Sequence, residues 1–223
     1  MLVDHKETIN FGDNVLDTQV KSVYDIPLKT WDGKEDFLAQ YKGKVTLVVN
    51  VTADCGNAPQ LETLEAIYQK YKDRGFEIAA IPTNDFCGNG ITYNEYAENG
   101  ISCGADARDY ALRKYDVNFE FSELVVSRPH PVWREKRNNY GETHELFAHL
   151  TAESNEDMGG NFEKFLVDRD GKLVKRFHNY MLLDYYKKNV EEGITEVMND
   201  QEVPPLNKEE AYEYICSEIE KIL

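Results

Sequence analysis

Residues 45–68 decide the fold, and they read Val-Thr-Leu-Val-Val-Asn-Val-Thr-Ala-Asp-Cys-Gly-Asn-Ala-Pro-Gln-Leu-Glu-Thr-Leu-Glu-Ala-Ile-Tyr. The first eight residues are mostly apolar and β-branched, a composition that predicts a buried strand. Beyond Pro59, which the first turn of a helix tolerates, Leu61, Leu64 and Ile67 repeat at helical spacing. The stretch therefore predicts a buried strand that leads directly into a helix.

Cys55 lies at the junction between this strand and this helix. The free N–H groups and the positive dipole end of a helix both stabilise a thiolate relative to a thiol, and the thiolate is the nucleophile. Cys55 is therefore the first candidate for chemistry in this chain. The alternative interpretation is an inert buried thiol.

The neighbouring segments extend this pair into a β-α-β unit. The helix is expected to close at Gly75, a residue type that suits the left-handed position after a helix. Residues 76–82 are predicted to form the next strand, parallel to the first. Upstream, residues 23–33 are expected to form a strand that ends in an Asp-Gly turn, and residues 37–43 a short helix or turn.

Three further elements are predicted downstream. Residues 105–115 are expected to be helical, and residues 162–177 to form a hairpin that turns at Asp170-Gly171. Residues 208–223 are expected to form an amphipathic terminal helix. This order of elements predicts an α/β fold of the thioredoxin-like type, in which helices flank a central mixed sheet.

A chain of 223 residues is expected to form a single domain over residues 1–223. Residues 133–158 and 179–207 lack strong periodicity and are interpreted as insertions. No stretch approaches the roughly 18 apolar residues needed to cross a bilayer. The first residues are polar and lack the apolar core of a secretion signal, so a cytoplasmic location is predicted.

Charge and cysteine spacing exclude several classes of function. The formal net charge is −16, whereas phosphate binding requires the opposite sign, so neither nucleic acid nor a membrane surface is an expected partner. The cysteines are Cys55, Cys87, Cys103 and Cys216, and none forms a Cys-x-x-Cys pair. A zinc ribbon and a dithiol redox motif are therefore not predicted, and the sequence predicts no metal and no cofactor.

Four ordered segments between roughly residues 22 and 178 resemble the glutathione peroxidase family. Residues 43–56 resemble the segment around the family's catalytic cysteine or selenocysteine, and residues 64–75 the helix that follows it. Residues 82–86, Pro-Thr-Asn-Asp-Phe, stand in place of the family's Pro-Cys-Asn-Gln-Phe. Residues 160–167, Gly-Asn-Phe-Glu-Lys-Phe-Leu-Val, stand in place of its Trp-Asn-Phe-x-Lys-Phe-Leu-Val.

The resemblance implies a site in which two of four positions differ from the family. Cys55, Asp85, Gly160 and Asn161 stand where the family has cysteine or selenocysteine, glutamine, tryptophan and asparagine. An ionised Asp85 only accepts hydrogen bonds and would disfavour a nearby thiolate, whereas a protonated Asp85 could donate one. Gly160 removes an indole donor, so a pocket is expected there unless Trp133 fills it.

The mechanism implied by the resemblance is peroxide reduction through a sulfenic acid on Cys55, which glutathione or thioredoxin then reduces. Many cysteine-type relatives use a second, resolving cysteine on the helix that here covers residues 109–115, but Ala111 stands at about that position. Cys87 and Cys103 are the candidates to replace it. The chain is thus identified as a cysteine-containing member with a divergent site.

Two other functions remain open from the sequence. The changes at Asp85 and Gly160 alter both the charge and the volume of the site, which would suit another thiol-dependent reaction such as thiol–disulfide exchange. The same changes would suit a redox sensor or binding module without catalysis. The first hypothesis is nevertheless a thiol-dependent peroxidase acting on hydrogen peroxide or organic hydroperoxides.

Overall fold

The computed structural model describes residues 22–53, 55–86, 104–129, 142–154, 156–193 and 205–223. In these stretches the strands are β1 Val45–Val51, β2 Phe76–Pro82, β3 Glu120–Phe121, β4 Lys164–Val167 and β5 Leu173–Phe177. The α-helices are α1 Gln60–Tyr71, α2 Ala107–Tyr115, α3 Glu145–Thr151, α4 Tyr186–Glu191 and α5 Lys208–Glu220. Short 3-10 helices cover Val23–Asp25, Ala39–Tyr41 and Lys72–Arg74.

The strands form one mixed sheet in the order β3-β2-β1-β4-β5. Strands β1, β2 and β3 are parallel, and β4 and β5 pair antiparallel beside β1. The hairpin turn positions Gly171 at a φ of 82°, a conformation that glycine adopts without steric cost. The predicted α/β class, the mixed sheet and the hairpin are confirmed.

Strand β1 is the centre of the sheet, and all of its residues are buried. Its side chains alternate between two apolar clusters, with Leu47 and Val49 on one side and Val48 on the other. Helices α1, α2 and α5 cover the first side, and helix α3 contributes to the second. A strand with apolar partners on both faces has no regular polar alternation, which explains the mostly apolar run in the sequence.

The register of β1 and β2 places two candidate site residues at the same edge of the sheet. Val51 pairs with Pro82, and the Thr83 amide donates to the Val51 carbonyl at 3.0 Å. The chain therefore leaves both parallel strands together, toward Cys55 from one and toward Asp85 from the other. Functional groups commonly lie at this carboxyl edge of parallel strands.

The predicted strand over residues 23–33 is wrong. Residues Val23–Asp25 form a 3-10 helix, and in the rest of the segment Thr30 makes an isolated bridge to Ser122. Val23 and Tyr24 are both buried in the same apolar cluster, whereas successive side chains of a strand point to opposite faces. The turn at Gly33 is confirmed, since its amide donates to the Thr30 carbonyl at 3.0 Å.

The two segments without clear periodicity contain the helices α3 and α4. Each has fewer than two full turns, so a helical repeat has too few residues to show in the sequence. Helix α3 nevertheless buries Leu146, Phe147 and Leu150 against the sheet. Among the described residues, no helix combines the length and the apolar content that a bilayer span requires.

Candidate active site

Cys55 lies in a turn between β1 and α1 rather than at the first residue of the helix. Its side chain is partly buried and packs against the main apolar cluster. Helix α1 begins at Gln60 after Pro59, so the predicted direct junction is wrong by one turn. The turn still brings a backbone donor to the sulfur, because the Asn57 amide lies 3.4 Å from Cys55 Sγ.

Asn161 supplies a second donor to the same sulfur. Its Nδ2 lies 3.6 Å from Cys55 Sγ, and its side chain is almost fully buried. The Asn161 carbonyl also accepts a hydrogen bond from Nδ2 of Asn57 at 3.0 Å. The two asparagines thus connect the Cys55 turn to the segment before β4, and N–H donors at a sulfur stabilise its thiolate form.

Asn50 holds the segment that carries Asn161. From the interior of β1, Asn50 donates through Nδ2 to the Gly160 carbonyl at 3.1 Å and accepts at Oδ1 from the Glu163 amide at 2.8 Å. Phe162 between them has a φ of 69°, a strained value for a residue with a side chain. Its amide donates to the Asn50 carbonyl at 2.8 Å. The feature of the sequence that could have indicated this role is Asn50 itself, a carboxamide side chain within a mostly apolar strand.

The expected pocket at Gly160 does not form, because Asn179 fills it. A Cβ on Gly160 would lie 2.0 Å from Nδ2 of Asn179, well inside van der Waals contact. Asn179 is almost fully buried and comes from a segment that was interpreted as an insertion. Trp133, the residue considered for this space, lies outside the described residues.

Asp85 is buried and its carboxylate accepts hydrogen bonds from Ser127. The Ser127 amide and hydroxyl lie 2.8 and 2.7 Å from the same oxygen, Oδ2. Donors at a carboxylate oxygen stabilise the charged form and hold the group in place. Asp85 therefore ties the loop after β2 to the chain beyond β3.

A buried lysine, Lys164, begins strand β4 directly after the Asn161 segment. Four oxygens lie within hydrogen-bond distance of Lys164 Nζ. They are Oε1 of Gln60 at 2.5 Å and the carbonyls of Phe162 at 2.7 Å, Met181 at 3.0 Å and His178 at 3.3 Å. Burial lowers the pKa of Lys164 to about 7, and the charge of the adjacent glutamate opposes that shift. The four oxygens surround the ammonium and join three chain segments around it.

The neighbouring glutamate forms an ion pair that anchors the same strand. Glu163 contacts Arg176 of β5 at 2.7 Å and accepts from the Gly159 amide at 2.9 Å. Burial raises the pKa of Glu163, and the charge of Arg176 opposes this increase. These two partners satisfy the Glu163 carboxylate, which lies at the end of the Asn161 segment, directly before β4.

Tyr185 borders the Cys55 turn from the α4 side. Its hydroxyl lies 3.4 Å from the Gly56 carbonyl, and its side chain is about half exposed. Burial raises the pKa of Tyr185, and the nearby charge of Cys55 raises it further. Sequence reasoning did not find Tyr185, since nothing local to it indicates the turn that it contacts.

The remaining predicted candidates divide between described and undescribed parts of the chain. Cys87 and Cys103 lie outside the described residues. Ala111, at the position of the resolving cysteine, is buried on helix α2, and Cys216 is a buried free thiol on helix α5. In the part of the chain that the structure describes, no cluster of three or more histidine, cysteine or carboxylate side chains could hold a metal ion.

Comparison of the sequence with known proteins identifies one family. A family model for glutathione peroxidase matches residues 23–133. The glutathione peroxidase homolog BsaA of Staphylococcus aureus is 36% identical over 163 residues, covering 71% of this chain and 89% of that protein. The hydroperoxy fatty acid reductase gpx1 of Synechocystis is 32% identical over 181 residues, covering 76% of this chain and 94% of that protein.

Solved structures agree with the sequence relatives. The crystal structure of T. cruzi GPX1 superposes with a TM-score of 0.52 at 25% identity, covering 78% of this chain and 94% of that chain. Trgpx in its apo form gives a TM-score of 0.51 at 26% identity over the same shares. The chain therefore belongs to the glutathione peroxidase family, and it is a thiol-dependent peroxidase with a thioredoxin-like fold.

Proposed function

We propose that Cys55 is the nucleophile that reduces hydroperoxides in this protein. The observation that carries the proposal is the pair of donors at its sulfur, the Asn57 amide at 3.4 Å and Asn161 Nδ2 at 3.6 Å. Both favour the thiolate, which is the reactive form of cysteine. Cys55 is also partly exposed rather than fully enclosed, as a residue that meets a substrate must be.

The reaction proceeds by attack of the Cys55 thiolate on one oxygen of the hydroperoxide. The sulfur–oxygen bond forms as the O–O bond breaks, and the leaving oxygen takes a proton to become water or an alcohol. One thiol then condenses with the sulfenic acid to a disulfide and water. A second thiol attacks that disulfide, so that two thiols supply the two electrons and the Cys55 thiolate is restored.

Organic hydroperoxides are proposed as substrates beside hydrogen peroxide, with glutathione or thioredoxin as the reductant. The resemblance to a hydroperoxy fatty acid reductase supports the first part. Cys87 and Cys103 are proposed as alternative partners for a disulfide with Cys55. In this proposal Asn161 is a donor to the reacting sulfur, and Asp85 positions the loop after β2 through Ser127.

Stopped-flow kinetics test the assignment. The wild-type protein and Cys55→Ser are mixed with hydrogen peroxide and with cumene hydroperoxide, and coupled assays supply either glutathione or thioredoxin with its reductase. The proposal expects a fast peroxide-dependent phase in the wild type and its loss in Cys55→Ser. Peroxide consumption unaffected by that substitution would remove Cys55 from the reaction.

Mass spectrometry after one equivalent of peroxide identifies the sulfur products. A sulfenic acid on Cys55 without a disulfide would mean that an external thiol resolves it directly. A disulfide from Cys55 to Cys87 or Cys103 would identify the internal partner. Cys216 serves as the internal reference, because it is buried in helix α5 and is expected to stay reduced.

A further inference from the structure

The side chain of Asn179 occupies the space that a side chain on Gly160 would take. A Cβ on Gly160 would also lie 2.8 Å from Cγ of Asn179, so the Asn179 side chain would have to move to admit it. Gly160 does not have a positive φ, and its backbone would accept any residue. The reason for glycine here is therefore the Asn179 amide that lies against it, and not the backbone conformation.

The Asn179 segment is fixed from the side of helix α1 and strand β4. Gln60 Nε2 donates to the Asn179 carbonyl at 2.6 Å, and Gln60 is itself fully buried. The two carbonyls that Lys164 binds at His178 and Met181 lie on either side of Asn179. Asn179 thus has backbone support on both flanks, which is the condition for a side chain that must hold one position.

Gly160 directly precedes the residue that contacts the sulfur. Asn161 donates to Cys55 Sγ, and the Gly160 carbonyl is held by Asn50. A carboxamide packed on Gly160 limits the positions that the Gly160–Asn161 peptide can take. The Oδ1 atoms of Asn161 and Asn179 are both buried and have no hydrogen-bond donor among the described residues.

We propose that Asn179 is a positioning residue of the active site, which takes the space of the absent side chain at 160 and holds Asn161 in reach of the Cys55 thiolate. The inference rests on the proposed function of Cys55. It goes beyond that function because it assigns a role to a segment outside the motif that contains Asn161.

Rapid kinetics on two amide variants test the proposal. Asn179→Ala removes the carboxamide, and Asn189→Ala removes an amide from helix α4 of the same region as the matched control. The expected result is about a tenfold lower second-order rate of Cys55 with hydrogen peroxide in Asn179→Ala, and no change in Asn189→Ala. An unchanged rate in Asn179→Ala, with Cys55→Ser inactive, would overturn the positioning role alone.

The pH dependence of Cys55 alkylation separates positioning of the site from general stability. In Asn179→Ala the Asn161 donor is no longer held at the sulfur, so the thiolate loses a hydrogen bond that stabilises it. Alkylation of the Cys55 peptide by iodoacetamide, followed by mass spectrometry across pH, reports the thiolate without any peroxidase turnover. The midpoint is expected to rise by about one pH unit in Asn179→Ala and to stay unchanged in Asn189→Ala. An unchanged midpoint in Asn179→Ala would overturn the positioning role.

A paired substitution tests the shared space. Gly160→Ala alone is expected to destabilise the protein and to slow the peroxide reaction, since its Cβ conflicts with Asn179. In Gly160→Ala/Asn179→Ala the conflict is absent, so the double variant should be more stable than Gly160→Ala. Additive losses of stability would show that the two positions do not share one space, and would overturn the proposal.

Discussion

Lys164 and Gln60 are joined by a hydrogen bond of 2.5 Å from the lysine Nζ to the glutamine Oε1, between strand β4 and the first residue of helix α1. Gln60 in turn donates to the Asn179 carbonyl. This chain of contacts connects the helix beyond Cys55 with the segment beside Asn161. Lys164 is thus connected, through Gln60, to the residues around the sulfur without contacting the sulfur itself.

The buried Lys164 makes stability depend on pH. Its pKa is about 7 in the folded state, below the ordinary value of 10.5, so the unfolded chain binds more protons between these values. The free energy of unfolding therefore receives a contribution that rises with pH from about 7 to 10.5, by up to about 1.4 kcal/mol per pH unit. Lys164→Met removes this contribution.

Urea unfolding of the wild type and of Lys164→Met, at pH values from about 6.5 to about 9.5, measures the contribution of Lys164 to the free energy of unfolding. The difference between the two free energies of unfolding is expected to grow in favour of the wild type as pH rises. Lys188→Met, at an exposed position of helix α4, is the control and should show a constant difference. A constant difference for Lys164→Met as well would mean that the four oxygens keep the ammonium charged throughout.

Asn161→Ala is expected to slow the reaction of Cys55 with hydrogen peroxide by about 10- to 100-fold. A hydrogen bond to a charged group contributes roughly 1.5–3 kcal/mol, and this substitution removes the Nδ2 donor at the thiolate. Stopped-flow rates with protein in single turnover measure the effect. Asn118→Ala, which removes an exposed amide bonded to Glu65, is the control. Equal rates in Asn161→Ala and the control would exclude Asn161 as a donor to the reacting sulfur.

Asp85→Asn should lower stability and raise peroxide reactivity. The free energy of unfolding is expected to fall by about 1–3 kcal/mol, because a neutral oxygen replaces the charged acceptor of the Ser127 amide and hydroxyl. The rate is expected to increase because a carboxylate at this edge of the sheet disfavours the Cys55 thiolate.

Ser127→Ala separates the two effects of Asp85, since it removes one hydrogen bond and leaves the carboxylate. Urea unfolding and single-turnover rates are measured on both variants. Ser127→Ala should lose stability without gaining reactivity. A lower peroxide rate in Asp85→Asn would instead assign the carboxyl group a positive role in the reaction.

Gly171 and Gly33 have nearly equal backbone geometry but different surroundings, so a comparison of Gly171→Ala with Gly33→Ala isolates the effect of the surroundings. Their φ values are 82° and 84°, so each substitution costs about 1–2 kcal/mol of backbone strain. A Cβ at Gly171 would lie 1.9 Å from Ser22 Oγ, whereas one at Gly33 has no atom within 4 Å. Thermal unfolding should show the Gly171 variant less stable than the Gly33 variant by at least about 1 kcal/mol. Equal losses would mean that Ser22 moves aside freely.

Local patterns were sufficient for most elements of the fold. The apolar run of β1, the left-handed Gly75 after helix α1 and the turn at Gly171 each depend on a few consecutive residues, and each is confirmed. The prediction for residues 23–33 was wrong because an apolar segment beside a sheet can pack against its face instead of joining its edge. The two short helices α3 and α4 were missed because their repeat is too short.

The sequence by itself determined the family and predicted Cys55 and Asn161 as site residues, since motifs of consecutive residues carry both. Only the tertiary structure decided what surrounds them. Asn179 fills the space at Gly160, and Ser127 binds Asp85. These partners lie far apart in the chain and meet only when the sheet edge, the hairpin and the segment after β5 pack together. Periodicity and spacing report neighbours along the chain, whereas the shape of this site depends on contacts between distant segments.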